Sequence, residues 1–222
     1  MSSQPTSVIA IDGPAASGKS SVSRKLSAHL GFEHINSGAF YRAITWFLLD
    51  QNLVDNTEKK PANLLSILSK TRLNCTKQAG NSVITINDRP LDSELHSDAV
   101  NANVSRISAI PAVRDFLLGL LRSYAENHNI IMEGRDIGSV VFPDTPFKFY
   151  LDASPEVRSQ RRSAQGQADS ILNRDKIDSS RKAAPLVVAK DATIIDSSNL
   201  TIQGVVSEIV KHLKSKGLKI DS

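Results

Sequence analysis

The apolar run Val8-Ile9-Ala10-Ile11 leads directly into Gly13-Pro14-Ala15-Ala16-Ser17-Gly18-Lys19-Ser20, and a segment of helical period follows. A G-x-x-x-x-G-K-[ST] loop set between a strand and a helix commits the chain to an α/β layout and to binding phosphate. Its end glycines let the backbone turn tightly, so the N–H groups between them converge on one anion at the positive end of the helix. Lys19 is spaced to reach β- and γ-phosphates as a point charge, and the Ser20 hydroxyl to ligate Mg²⁺. Gly13, Pro14, Ala15, Ala16, Ser17, Gly18, Lys19, Ser20 and Ser21 are therefore the expected nucleotide contacts, with Lys19 catalytic and Ser20 on the metal.

At 222 residues the chain fits one domain over 1–222. Its net charge of +4 includes no run of five basic residues and aromatics are few, so small polyanionic substrates explain the excess better than nucleic acid. The single cysteine, Cys75, excludes an internal disulfide framework, and the five histidines are scattered without metal-ligand spacing. The N-terminal residues show no basic-then-apolar leader, and no apolar run approaches the length that spans a bilayer. The expectation is a soluble cytoplasmic protein that engages no membrane and no nucleic acid.

Val22, Leu26 and Leu30 recur at helical spacing after the loop, with Gly31 at a C-cap position. A short strand over 32–36, a helix over 39–49 and a short helix over 64–68 follow. Between 73 and 91 the texture changes to three short antiparallel strands joined by turns, which reads as an insertion. Pro111 opens another helix. The compact apolar runs at 130–132 and 147–151 suit central parallel strands, and 193–196 adds a last strand before a helix through Leu213. Strand and helix alternate as in a doubly wound sheet.

Four further segments carry candidate chemistry. Asn36-Ser37-Gly38-Ala39-Phe40-Tyr41-Arg42 is a polar turn opening a helix, able to hold a second phosphate. Glu133-Gly134-Arg135-Asp136-Ile137-Gly138 falls at the C-terminal end of a predicted strand, the edge where open α/β sheets collect ligands. Arg158, Arg161, Arg162, Arg174 and Arg181, interleaved with Asp175 and Asp178, supply planar donors for developing phosphoryl charge. Ser105 to Arg114 reads by itself as a loop and helix start, with no functional signal.

Together these segments resemble the bacterial cytidylate (CMP) kinase family, P-loop nucleoside monophosphate kinases, from about Ile9 to Val206. The specific pieces are Ile11-Asp12-Gly13-Pro14, Ser37 to Arg42, Gly134 to Gly138 continuing to Val141-Phe142-Pro143-Asp144, and Arg174-Asp175 with Asp178 to Arg181 and Ala184-Pro185-Leu186. The resemblance implies a P-loop NTPase-type parallel sheet flanked by helices, with the antiparallel insertion inside a monophosphate-binding region near 37–115 and a short lid with its following loop near 156–182. It implies transfer of a phosphoryl group from ATP to CMP or dCMP with Mg²⁺; the reaction requires only one chain, and a monomer is the expectation. It places Ser105, Arg114 and Asp136 on the cytosine ring, Ser37, Arg42 and Arg135 on the acceptor phosphate with Arg181 nearby in the same pocket, and Arg174 and Asp178 on the sugar. Arg158, Arg162 and Arg174 become catalytic alongside Lys19.

The assignment agrees with hydrogen-bond chemistry. A carboxylate can accept from the cytosine amino group while a hydroxyl and a guanidinium donate to N3 and O2. The acceptor is already anionic, so catalysis needs positioning and neutralisation but no general base. Two departures stand out. Asn36 replaces the family's usual Asp, and only Ser163 to Asn173 separates Arg162 from Arg174, which implies hydrolytic leakage or a weaker grip on ATP. A coenzyme or small-molecule kinase with Asp12 or Asp136 as base stays open from the residues alone, and so does a nucleotide switch, although no N-K-x-D guanine-reading motif is present.

Overall fold

The computed structural model describes residues 6–54, 61–78, 81–164, 171–181 and 184–220. The chain runs β1 (Val8–Asp12), α1 (Lys19–Leu30), β2 (Glu33–Asn36), α2 (Ser37–Asp50), α3 (Pro61–Ser69), β3 (Leu73–Gln78), β4 (Asn81–Ile86) and β5 (Arg89–Leu91). It continues through α4 (Asp98–Ile107), α5 (Pro111–Ser123), β6 (Ile130–Gly134), β7 (Phe147–Asp152), α6 (Pro155–Ala164), α7 (Ile171–Ser180), β8 (Thr193–Asp196) and α8 (Ile202–Ser215). Five strands form one sheet in the order β2-β6-β1-β7-β8, and β3-β4-β5 form a separate antiparallel sheet.

The main sheet is built from the apolar runs. β1 pairs in parallel with β6, placing Ile9 beside Ile131, and with β7, placing Ile11 beside Phe149. Such strands are covered on both faces, which is why they read as continuous hydrophobic runs. On one face α1 and α8 contribute Val22, Leu26, Val205, Val206, Ile209 and Leu213, buried with Ile9, Ile11, Phe149 and Leu151. Each such side chain contributes about 1.5–3 kcal/mol by leaving water. Gly31 ends α1 in the left-handed region at φ 68°, as its position predicts. Thr201 caps α8 by accepting from the Gly204 N–H at 3.1 Å.

Two compact units divide the chain: Met1–Ile35 with Arg122–Ser222, and Asn36–Leu121. The first holds most of the five-stranded sheet. In the second, α2 packs on α4 and β4, with Phe40, Ile44, Leu48, Val100 and Ile107 buried.

Three local readings change. Asp98–Ile107 is a full helix, so Ser105 stands in the last turn of α4 and not in a loop. α2 begins at Ser37, two residues before the expected start, because the Asn36 side chain caps it by accepting from the Ala39 N–H at 3.2 Å. Ile137–Val141 winds into one wide π-helical turn that apolar periodicity does not announce. The arginine-rich stretch forms α6 and α7. The connection 165–170, the middle of the expected lid, lies outside the described residues.

Candidate active site

The phosphate loop leaves β1 at Asp12 and enters α1 at Lys19. Gly13 has φ 151°, and a Cβ there would meet the Leu151 carbonyl oxygen at 2.0 Å, so a side chain is excluded by both conformation and space. Gly18, at φ 93°, is the N-cap of α1. The Lys19 ammonium is folded into the loop, donating to the Pro14 carbonyl at 2.6 Å and to Ser17 Oγ at 3.2 Å. Burial, reinforced by the Arg135 charge, holds its pKa well below the ordinary lysine value.

Asp12 is buried, and its two carboxylate oxygens accept from the N–H groups of Ile137 at 2.8 Å and Gly138 at 2.7 Å. Burial pushes its pKa up to about 6 against the lowering pull of those two bonds, and the Asp136 charge adds to the rise. Asp136 itself is buried just before the wide turn. Ser20 Oγ donates to Glu133 Oε2 at 2.7 Å, and Glu133 Oε1 lies 2.9 Å from His34 Nε2.

The arginines fall into three groups. Arg158 pairs with Asp175 and also donates to the carbonyls of Ala153 at 3.0 Å and Ala15 at 3.2 Å, while Asp175 Oδ1 accepts from the Ala15 N–H at 3.1 Å. A residue of α6 and one of α7 thus hold both peptide groups of one loop residue. Asp178 bridges Arg135, at 2.9 Å, and Arg181. Arg161 donates to Ser197 Oγ at 3.1 Å and its carbonyl at 2.8 Å, and Ser197 Oγ donates to the Ser17 carbonyl at 2.9 Å. That strap borders a pocket of about 350 Å³ lined by Ser17, Gly18, Ser21, Val22, Leu200 and Val205, among others. Arg162 follows Arg161 on α6. Arg174 precedes Asp175 on α7, and its side chain lies outside the described set.

Ser37, Arg42, Ser105 and Arg114 belong to the other unit. Arg42 Nη1 donates at 2.8 Å to both the Leu95 carbonyl and Asn101 Oδ1. Arg114 is buried, donates to the Ser108 carbonyl at 3.1 Å and stands 5.6 Å from the centre of the Tyr41 ring. Ser108 Oγ donates to the Ser105 carbonyl at 3.1 Å, which ties the end of α4 to the turn that holds Arg114. Ser37 and Ser105 are both buried.

His34, Glu133 and Asp175 escape a reading of the sequence as sites, although Glu133 and Asp175 stand inside the quoted segments. Asp175 and Ala15 are 160 residues apart, and Glu133 and Ser20 113. The only sequence signal is an acidic residue at a predicted strand end.

The sequence profile described as "Cytidylate kinase" matches residues 9–215. The chain belongs to the cytidylate kinase family. Proteins named cytidylate kinase from Alkaliphilus metalliredigens and Streptomyces avermitilis are 38% and 37% identical, covering 94% and 96% of this chain and 96% and 94% of their own lengths. One from Pelotomaculum thermopropionicum is 40% identical, over 93% of this chain and 96% of its own. Family membership thus extends across both units, and the cytidylate kinase profile includes the small antiparallel sheet as well as the phosphate loop.

Proposed function

We propose that this chain transfers the γ-phosphoryl group of ATP to CMP or dCMP, giving ADP and CDP or dCDP, as a monomer in the cytoplasm. The observation that carries the reading is the family match over 9–215 on a chain whose phosphate loop is folded as such a loop. No helix among the described residues is long and apolar enough to cross a membrane.

The loop cradles the donor's phosphates, and the pocket beside Gly18 and Val22 takes the donor's base. Lys19, now folded onto loop oxygens, exchanges them for phosphate oxygens. Its depressed pKa reflects a buried cation whose natural partner is an anion. Oxygen donors suit Mg²⁺, and the Ser20 hydroxyl, with its hydrogen turned to Glu133, would hold the ion. When bound there, Mg²⁺ would supply positive charge to offset that of the donor's phosphates.

On the acceptor, Asp136 accepts from the cytosine amino group, and Ser105 and Arg114 donate to the remaining ring acceptors. Ser37, Arg42, Arg135 and Arg181 hold the phosphate, and Arg174 and Asp178 hold the sugar. Arg158, Arg162 and Arg174 neutralise charge on the transferring group. The Asp178 bridge supports this reading, because a carboxylate between two guanidiniums fixes their planes before an anion arrives. Each Asp12 oxygen accepts a backbone N–H group, which ties this carboxylate to the turn at 137–141.

An ADP-release assay with Mg²⁺-ATP against CMP, dCMP, UMP, AMP, GMP and no acceptor tests this. Turnover confined to CMP and dCMP is expected; equal turnover on UMP or without acceptor would overturn it.

A further inference from the structure

Ser20, Glu133 and His34 form one hydrogen-bonded chain that runs from the start of α1 across β6 to the edge strand β2. A carboxylate only accepts, so the Ser20 hydrogen lies in the bond to Glu133, and the nitrogen of His34 facing Glu133 carries a hydrogen. With its hydrogen committed, Ser20 turns its lone pairs away from Glu133. The torsion at the end of a glutamate is soft and roughly two-fold, so one bond to Ser20 does not fix the carboxylate plane. A bond from His34 to the other oxygen constrains it further. Both ends are sheltered, with side-chain exposures of 13% for His34 and 4% for Glu133, so water does not readily substitute for either partner. The Glu133 charge also faces the buried Lys19 ammonium.

We propose that His34 is a positioning residue for Mg²⁺, acting through Glu133 to present the Ser20 oxygen to the ion. The inference rests on the reading of the loop as an Mg²⁺-ATP site. Outer partners of this kind change metal affinity about 10–100-fold when removed, because they set the orientation of the group that binds.

The test uses the full chain with ADP held below the protein concentration, and Mn²⁺ as a probe read from loss of the free-ion electron paramagnetic resonance signal. His34→Leu is expected to weaken Mn²⁺ binding to the ADP complex about tenfold. His34→Gln, which keeps an N–H donor, is expected to restore most of that affinity. The KM for CMP stays unchanged in both. In a Ser20→Ala background the His34→Leu effect disappears, since the chain has lost its outlet. Unchanged Mn²⁺ affinity in His34→Leu with ADP still bound overturns the inference alone, as does an undiminished effect in Ser20→Ala. Failure of the wild-type chain to retain ADP overturns the nucleotide-site reading and this inference with it. A measurement without variants covers the case in which His34→Leu does not fold. In ¹⁵N-histidine-labelled wild type, the His34 Nε2 resonance is expected to shift when Mg²⁺ joins the ADP complex, and no shift overturns the role.

Discussion

Asp12 is a charge placed where charge is expensive. Its pKa is raised from 3.8 to about 6, chiefly by burial. The unfolded chain therefore releases this proton first, and folding retains it. Between pH 3.8 and about 6 the folded state binds more protons, so the Asp12 contribution to stability is greatest at low pH and falls as pH rises through that window. The shift amounts to roughly 3 kcal/mol at 1.36 kcal/mol per unit. Thermal melts of Asp12→Asn against wild type should show the difference in stability changing by about that amount across the window and flat above it. Two further residues divide binding from chemistry. Lys19→Ala should lower kcat about 10²–10³-fold while leaving the KM for CMP nearly unchanged, as steady-state kinetics would show. Asp136→Asn should relax the CMP over UMP preference by about 10²-fold or more, with the KM for ATP largely intact, because only the base edge is altered. Loss of ATP affinity at an unchanged CMP:UMP ratio would remove Asp136 from the base.

Most elements are legible from side-chain pattern alone, and the exceptions have physical reasons. β1, β6 and β7 announce themselves because strands buried on both faces are apolar throughout. α4 is passed over because Asn101, Asn103, Ser105 and Arg106 make it read as a polar loop, yet Val100, Val104 and Ile107 recur at helical spacing and Ser97 caps it. The phosphate loop is contiguous and can be read directly. The pairs Ala15 with Asp175, Ser20 with Glu133 and Asp12 with Ile137 join distant elements, and no local pattern encodes them. Asn36 is the case where position and role separate. The family's usual Asp suggests electrostatics, while the geometry makes the residue the cap of α2. Asn and Asp cap about equally well, so Asn36→Asp should shift stability by no more than about 0.5 kcal/mol, and Asn36→Ala should cost about 1 kcal/mol in denaturant unfolding.

At the scale of the whole molecule, the sheet order places β1 between β6 and β7, so the loop leaving β1 lies beside the ends of both. Asp12, Glu133 and Leu151 thereby become neighbours of one anion site although they come from three distant parts of the chain. A site assembled in this way exists only in the folded state, so a nucleotide that binds it stabilises the whole fold. A non-hydrolysable ATP analogue with Mg²⁺ at 100 times its Kd should add about 2.7 kcal/mol and raise the Tm by roughly 5–10 °C, and Lys19→Ala should lose most of that rise. The Ser197 strap carries this dependence furthest. Its hydroxyl holds the carbonyl of Ser17 across a separation of 180 residues. During synthesis at about 5–20 residues per second, a ribosome needs roughly 9 to 36 s to travel from one to the other. The motif that defines the protein is thus made well before the residue that braces it, and a chain interrupted before Ser197 carries the signature of a nucleotide site without that brace.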